Sequence, residues 1–225
     1  MKAPGYLRAA GCSRWIATDS TGEPRGTPNS GGLGGPIRLL IPLAVASNYA
    51  SDIIDEFSGV TWVHYAQAYV QSDDDTELDV DGAFADQKNG LCGAAVAGSV
   101  VLTTGLQTGD VGLRVLIHDS EPPAPDPTWE DVVEFPFTAT GATVELVDFE
   151  GDVVCVIPLD TGDFRARCSA TGMDEGHALD TTEEDEISPD HYLLEFWPHP
   201  TEPDRVLRTA SALARRWNST RGTAE

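Results

Sequence analysis

Short segments in which apolar and polar residues alternate constrain this chain more than any other feature. Val111, Leu113, Val115 and Ile117 alternate with Gly112, Arg114 and His118. A period of two gives a strand one apolar face, whereas a helix would scatter those residues around its axis. Residues 60–70 are β-branched and aromatic, with Tyr65, Gln67 and Tyr69 alternating against Ala66, Ala68 and Val70, and are predicted as one strand. Ser99 to Thr104 reads as another. The turn residues Thr104 to Asp110 predict that it forms a hairpin with 111–117. Glu121 to Pro127 contains four prolines and is a stiff extended loop. Asp131 to Thr138 is a strand whose Pro136 calls for an edge position or a bulge. Residues 143–149 and 153–158 form a hairpin around Glu150, Gly151 and Asp152. In the next strand Phe164, Ala166 and Cys168 face one way, and Arg165, Arg167 and Ser169 the other. The last strand is His191 to Trp197.

One segment has helical periodicity. Val206, Ala210, Leu213, Ala214 and Trp217 fall on one face at a spacing near 3.6, with Thr201 as cap and Pro203 in the first turn. A helix is therefore predicted near 202–217. Short strands with turn signals between them, and one helix, define a mainly β fold: an antiparallel β-sandwich, jelly-roll-like, with one C-terminal α-helix. Residues 1–36, rich in Gly, Pro, Ser and Thr, are expected to be a disordered arm. Residues 37–217 form the sandwich domain and helix, and 218–225 a tail. The run from Ile37 to Ala46 follows a long Gly/Pro-rich leader and contains Pro42, so it reads as a segment entering the fold rather than an export signal. A cytoplasmic location follows as an expectation. No stretch reaches the roughly 20 apolar residues of a membrane helix.

Charge narrows the partners. The formal net charge is -23, from 37 acidic and 14 basic residues. Such a surface repels nucleic acid and anionic lipid, and it attracts basic proteins. In the run Asp180-Thr181-Thr182-Glu183-Glu184-Asp185-Glu186 like charges repel and stay solvated, as in a loop. Glu183, Glu184, Asp185 and Glu186 are the candidate partner-binding residues.

The chemistry-bearing patterns are weak. Glu77, Asp79, Asp81 and Gly82 have the spacing that opens a calcium loop, but Lys88 stands where a bidentate Glu belongs. The histidines His64, His118, His177, His191 and His199 show no metal-ligand spacing. No nucleophile elbow, phosphate-binding glycine loop or paired-cysteine motif is present. No catalytic residue, metal ligand or cofactor is assigned. Cys155 and Cys168 read as small buried hydrophobes, and the sequence leaves their pairing open.

Several segments carry a resemblance. Asn89-Gly90-Leu91-Cys92, residues 104–111, Trp129 to Glu134, Ala170 to Asp174, Tyr192 to Pro198 and Pro203 to Leu207 together resemble a family of uncharacterised actinobacterial proteins, over roughly residues 60–217. The order of elements is also similar to the competence protein J family, small bacterial inhibitors of a DNA-entry nuclease. That second likeness rests on the aromatic first strand with Tyr65 and Tyr69, the strand at 132–137, and the strand entered through Thr161-Gly162-Asp163-Phe164. It implies an inhibitor, and no binding residue carries over from it. The expected function is a non-enzymatic acidic protein that docks on a basic nuclease or toxin. The alternatives are a small-ligand or calcium-binding β-sandwich, and an enzyme whose site assembles only on folding. Oligomeric state is not legible.

Overall fold

Alternation along the chain builds eleven strands and two α-helices in the computed structural model, which describes residues 51–72, 79–183 and 186–222. The arm at 1–36, the segment 37–46, Glu77, Glu184 and Asp185 lie outside the described residues. The strands are β1 (Ile53–His64), β2 (Gln67–Gln71), β3 (Cys92–Gly93), β4 (Ser99–Thr103), β5 (Thr108–His118) and β6 (Asp131–Ala139). They continue as β7 (Val144–Val147), β8 (Val153–Ile157), β9 (Gly162–Thr171), β10 (Ile187–Pro198) and β11 (Arg205–Arg208). The helices are α1 (Met173–Leu179) and α2 (Ala212–Arg221).

The strands hydrogen-bond in the order β11-β6-β9-β10-β5-β1-β2-β4-β3, with β7 on β2 and β8 on β7. Val70, Val100, Leu146 and Ile157 share one core cluster with Val115, Phe135, Ala166 and Phe196. Strands from both halves of the order thus bury apolar faces in the same cluster. Phe137 and Phe196 meet edge to face within it, 5.6 Å apart. The mainly β fold with a C-terminal helix is as the sequence predicts. One pair departs from it: β10 runs parallel to β5, so the sheet is mixed.

Local chemistry explains the other departures. The predicted strand at 60–70 is two strands, because Tyr65 (φ 52°) and Ala66 (φ 58°) make a two-residue turn between His64 and Gln67. β4 and β5 do not form the predicted hairpin. β4 pairs with β2 and β3, whereas β5 lies between β1 and β10. The glycines read as turn signals there serve close approach instead. A Cβ on Gly105 would collide with the Met173 carbonyl oxygen, and one on Gly109 with Thr182 Oγ1. Pro136 lies beyond Glu134, the last β6 residue that β11 pairs, so the edge expectation holds on that side.

The C-terminal helix starts later than predicted and extends to Arg221. Residues 205–208 are drawn into β11 by pairing with β6, and Val206 is exposed there rather than anchoring the helix. Ser211, not Thr201, caps α2, accepting the Ala214 N–H at 3.0 Å. Asp174 of α1 accepts the N–H groups of Ala212 and Leu213, both at 2.8 Å. These bonds, that of Ala212 first, hold its carboxyl below the usual carboxylate range.

Three buried carboxylates fasten loops to the sheet. Asp204 accepts the N–H groups of Lys88 and Asn89 and the Asn89 amide. Asp131 accepts those of Ala210 and Ser211. Asp190 accepts from Gly105, Leu106 and the Tyr192 hydroxyl. Burial, with Asp190 next to it, pushes the Tyr192 phenol well above its ordinary value. Neither Cys155 nor Cys168 is joined in a disulfide. Cys168 neighbours Cys92 instead, whose thiol is pushed up by burial and then by that contact.

Candidate protein-docking surface

The acidic run leaves α1 at Asp180, whose left-handed backbone (φ 68°) turns the chain toward β5. Its carbonyl accepts the N–H groups of Gln107 and Thr108, each at 3.1 Å. Thr181 bridges Thr108 in parallel, and the Thr182 N–H returns to the Thr108 carbonyl at 3.2 Å. Gly109 permits this approach because no Cβ would fit beneath Thr182. The run is therefore pinned at its start. Glu183 and Glu186 are exposed, and the Glu186 N–H bonds the Glu183 carbonyl at 3.1 Å. Of the four residues predicted to bind a partner, these two stand together at the end of β5; Glu184 and Asp185 lie outside the described residues.

Thr108 also reaches the β1–β2 turn. Its hydroxyl lies 2.9 Å from His64 Nδ1. Around His64 gathers an aromatic cluster that the sequence reading did not single out. Trp62 stacks on His64 at 5.7 Å, Tyr65 lies 4.2 Å from it, and Phe149 meets it edge-on at 5.1 Å. Phe149 is 5.6 Å from Tyr65 and 6.3 Å from Tyr69. Burial raises the Tyr69 phenol above its ordinary value. Carboxylates surround this surface. Asp110 pairs across the ladder with Trp62. Glu150 and Asp152 are exposed in the β7–β8 turn, where Asp148 accepts both of their N–H groups at 2.9 Å. The only sequence signal for the cluster was the aromatic density of residues 62–69.

The arginines behave differently. Arg165 and Arg167, on the polar face of β9, are buried. Strand register lines up Arg205, Glu134, Arg167 and Glu195 across β11, β6, β9 and β10. Glu134 receives Arg167 at 3.0 Å, Arg205 at 2.8 Å and Arg165 at 3.4 Å. Glu195 lies 3.5 Å from Arg167 and 3.2 Å from His118. Carbonyls of Pro123, Glu202 and Pro203 take further guanidinium N–H groups, and the Arg167 guanidinium lies over the Trp197 ring. Burial, then the nearby Arg205, holds the Arg165 guanidinium below its usual range. A cluster of His, carboxylate and Arg is what an enzyme reading would look for. Here Arg165, Arg167, Glu134, Glu195 and His118 are all buried, and carbonyls of the proline-rich loop and the 202–203 segment take the guanidinium N–H groups.

The remaining described arginines are also engaged within the chain. Arg114 pairs with Glu56 at 2.8 Å. Arg208 donates to the Asp126 and Trp129 carbonyls, and Arg215 to that of Ala210. Arg216 lies over Trp217, and Arg221 over both Trp217 and Phe84. A depression of about 330 Å³ beside Arg221 is lined by Val80, Asp81, Phe84 and Asp86. Asp79, from the calcium-like spacing, accepts the Gly82 N–H at 2.9 Å. Among the described residues no group of three or more His, Cys, Asp or Glu gathers as a metal-ligand set. No helix among them is long and apolar enough to cross a membrane.

No family model matches this chain, and no curated protein matches it. Two solved structures are similar. One is ComJ from Bacillus subtilis, an inhibitor of the DNA-degrading activity of NucA. It is 18% identical over 66% of this chain and 98% of that one, with a TM-score of 0.45. The other is crocagin biosynthetic gene J, 13% identical over 64% of this chain and 97% of that one, with a TM-score of 0.41. The distant resemblance to the competence protein J family expected from the sequence is met.

Proposed function

We propose that this chain is a non-enzymatic acidic binding protein that docks on a basic protein, a nuclease or toxin, and neutralises it. One observation carries the reading: the described arginines are each held by a carboxylate, a carbonyl or a ring of the chain itself, while Glu183, Glu186, Glu150 and Asp152 stand exposed. These exposed carboxylates belong to a chain whose formal net charge is -23. A protein that binds phosphate backbones carries a basic surface, and an acidic face competes for it. Glu183, Glu184, Asp185 and Glu186 are the proposed contact residues.

The test is inhibition. Basic nucleases from the chain's own host are assayed for DNA degradation with increasing amounts of the protein, at low and at high salt. Stoichiometric inhibition that weakens as salt rises is expected. Full nuclease activity at saturating protein and low salt, across all of them, would refute the reading.

A further inference from the structure

Tyr65 stands where the fold gains little from a tyrosine. Two-residue turns with positive φ at both positions favour Asn-Gly, because a Cβ is crowded there. Here Tyr65 and Ala66 occupy them, at φ 52° and 58°. The turn is held by the Ala66 N–H on the Gln107 carbonyl and the Thr104 N–H on the Ala66 carbonyl, both at 3.0 Å. Tyr65 is 61% exposed, so it contributes little burial in return. An unfavourable backbone conformation that presents an exposed ring is a feature of contact surfaces rather than of cores.

The ring is not alone. Trp62 and His64 lie nearly parallel, 18° apart, and Tyr65 and Phe149 pack against His64 at 57° and 75°. The His64 ring is oriented by Thr108. No lysine or arginine occurs in residues 60–71 or 144–153. The acids of the neighbouring segments are Asp110, cross-strand from Trp62, Glu150 and Asp152 in the turn that follows Phe149, and Asp180 and Glu183 in the run pinned to Thr108. Aromatic faces attract cations, and a planar, weakly hydrated guanidinium stacks on them better than an ammonium does.

We infer that Trp62, His64, Tyr65 and Phe149 form a stacking platform for an arginine side chain of the basic partner, an inference that rests on the function proposed above. A second copy of this chain is a poor occupant, because each copy carries a formal charge of -23. An uncharged apolar partner would strip water from the exposed carboxylates of Glu150, Asp152 and Glu183 without pairing them.

Calorimetry on the full chain tests this with oligoarginine and oligolysine peptides of equal length, at low and high salt. The proteins are the wild type, Tyr65→Asn, and Glu183→Gln/Glu186→Gln. Tyr65→Asn suits the turn, so it is expected to melt no lower than the wild type. Both peptides should bind the wild type at low salt, and at high salt oligoarginine should be retained better. Tyr65→Asn should weaken oligoarginine by about two- to fivefold at high salt, the range of an exposed cation–ring contact. The Glu183/Glu186 variant should weaken both peptides at low salt. If Tyr65→Asn binds oligoarginine as the wild type does, or if high salt removes both peptides equally, the platform is refuted and the electrostatic reading stands. If neither peptide binds at low salt, both fall.

Discussion

Replacing Glu134 by alanine should come close to unfolding this protein. Its carboxylate is buried and receives three guanidinium groups, from Arg167 at 3.0 Å, Arg205 at 2.8 Å and Arg165 at 3.4 Å. Arg205 is half exposed and can turn to water. Arg165 and Arg167 cannot, being 0% and 3% exposed. Removing one partner of a buried pair costs about 3–5 kcal/mol, because the remaining charge is left in a medium that solvates it poorly. Two arginines lose their shared partner here, although Arg167 keeps Glu195 and the Pro123 carbonyl. The upper part of that range is therefore expected, against a total stability of about 5–15 kcal/mol for an ordinary domain. Glu134→Gln keeps the shape and one acceptor oxygen, so it should lose clearly less. Urea unfolding followed by tryptophan fluorescence measures both. A loss under about 1 kcal/mol for Glu134→Ala would show that water reaches the arginines and that the ladder does not hold the sheet.

Smaller perturbations address single joints. Ala66→Gly should stabilise by roughly 0.5–1 kcal/mol in urea unfolding, since relief of a left-handed Cβ of about 1–2 kcal/mol outweighs the added chain entropy of glycine. Gly109→Ala should lower the melting temperature, because the new Cβ would collide with Thr182. Its circular dichroism should still show a β spectrum. Asp174 has a depressed folded-state carboxyl, so its contribution is present above the ordinary carboxylate value and is lost as pH falls through the lower folded one. Acid titration of α2 amide exchange should show fraying below about pH 4, and Asp174→Asn should remove that pH dependence.

The sequence showed some of these features and hid others for identifiable reasons. The β7–β8 hairpin was legible because Gly151, at φ 89°, supplies the turn chemistry that its position needs. The β1–β2 hairpin was not, because Tyr65 and Ala66 carry no turn signal and continue the strand alternation. Gly105 and Gly109 misled in the opposite direction, being needed for packing against Met173 and Thr182. Helical spacing at 205–208 lost to tertiary pairing with β6. The acidic run was visible as charge, whereas its neighbours were not. Trp62, His64 and Phe149 meet only once the β1–β2 and β7–β8 turns are folded beside one another. The alternation in β9 assigned Arg165 and Arg167 to the face away from the core. Only strand register aligned Arg167 with Glu134 and Glu195, and only the loops packed above made the row a buried one.

The central claim is that the acidic surface recruits a basic partner, and the association rate tests it most directly. Once the inhibition assay has identified the nuclease, stopped-flow mixing gives its on-rate with the wild type and with Glu183, Glu184, Asp185 and Glu186 all neutralised to amides. Charges separated by more than a Debye length, about 8 Å at physiological ionic strength, are largely screened. Raising salt should therefore slow wild-type association far more than it speeds dissociation, and the neutralised variant should start slower and respond less. An on-rate indifferent both to salt and to the four substitutions would contradict the account and leave the charge of this chain as a feature of solubility.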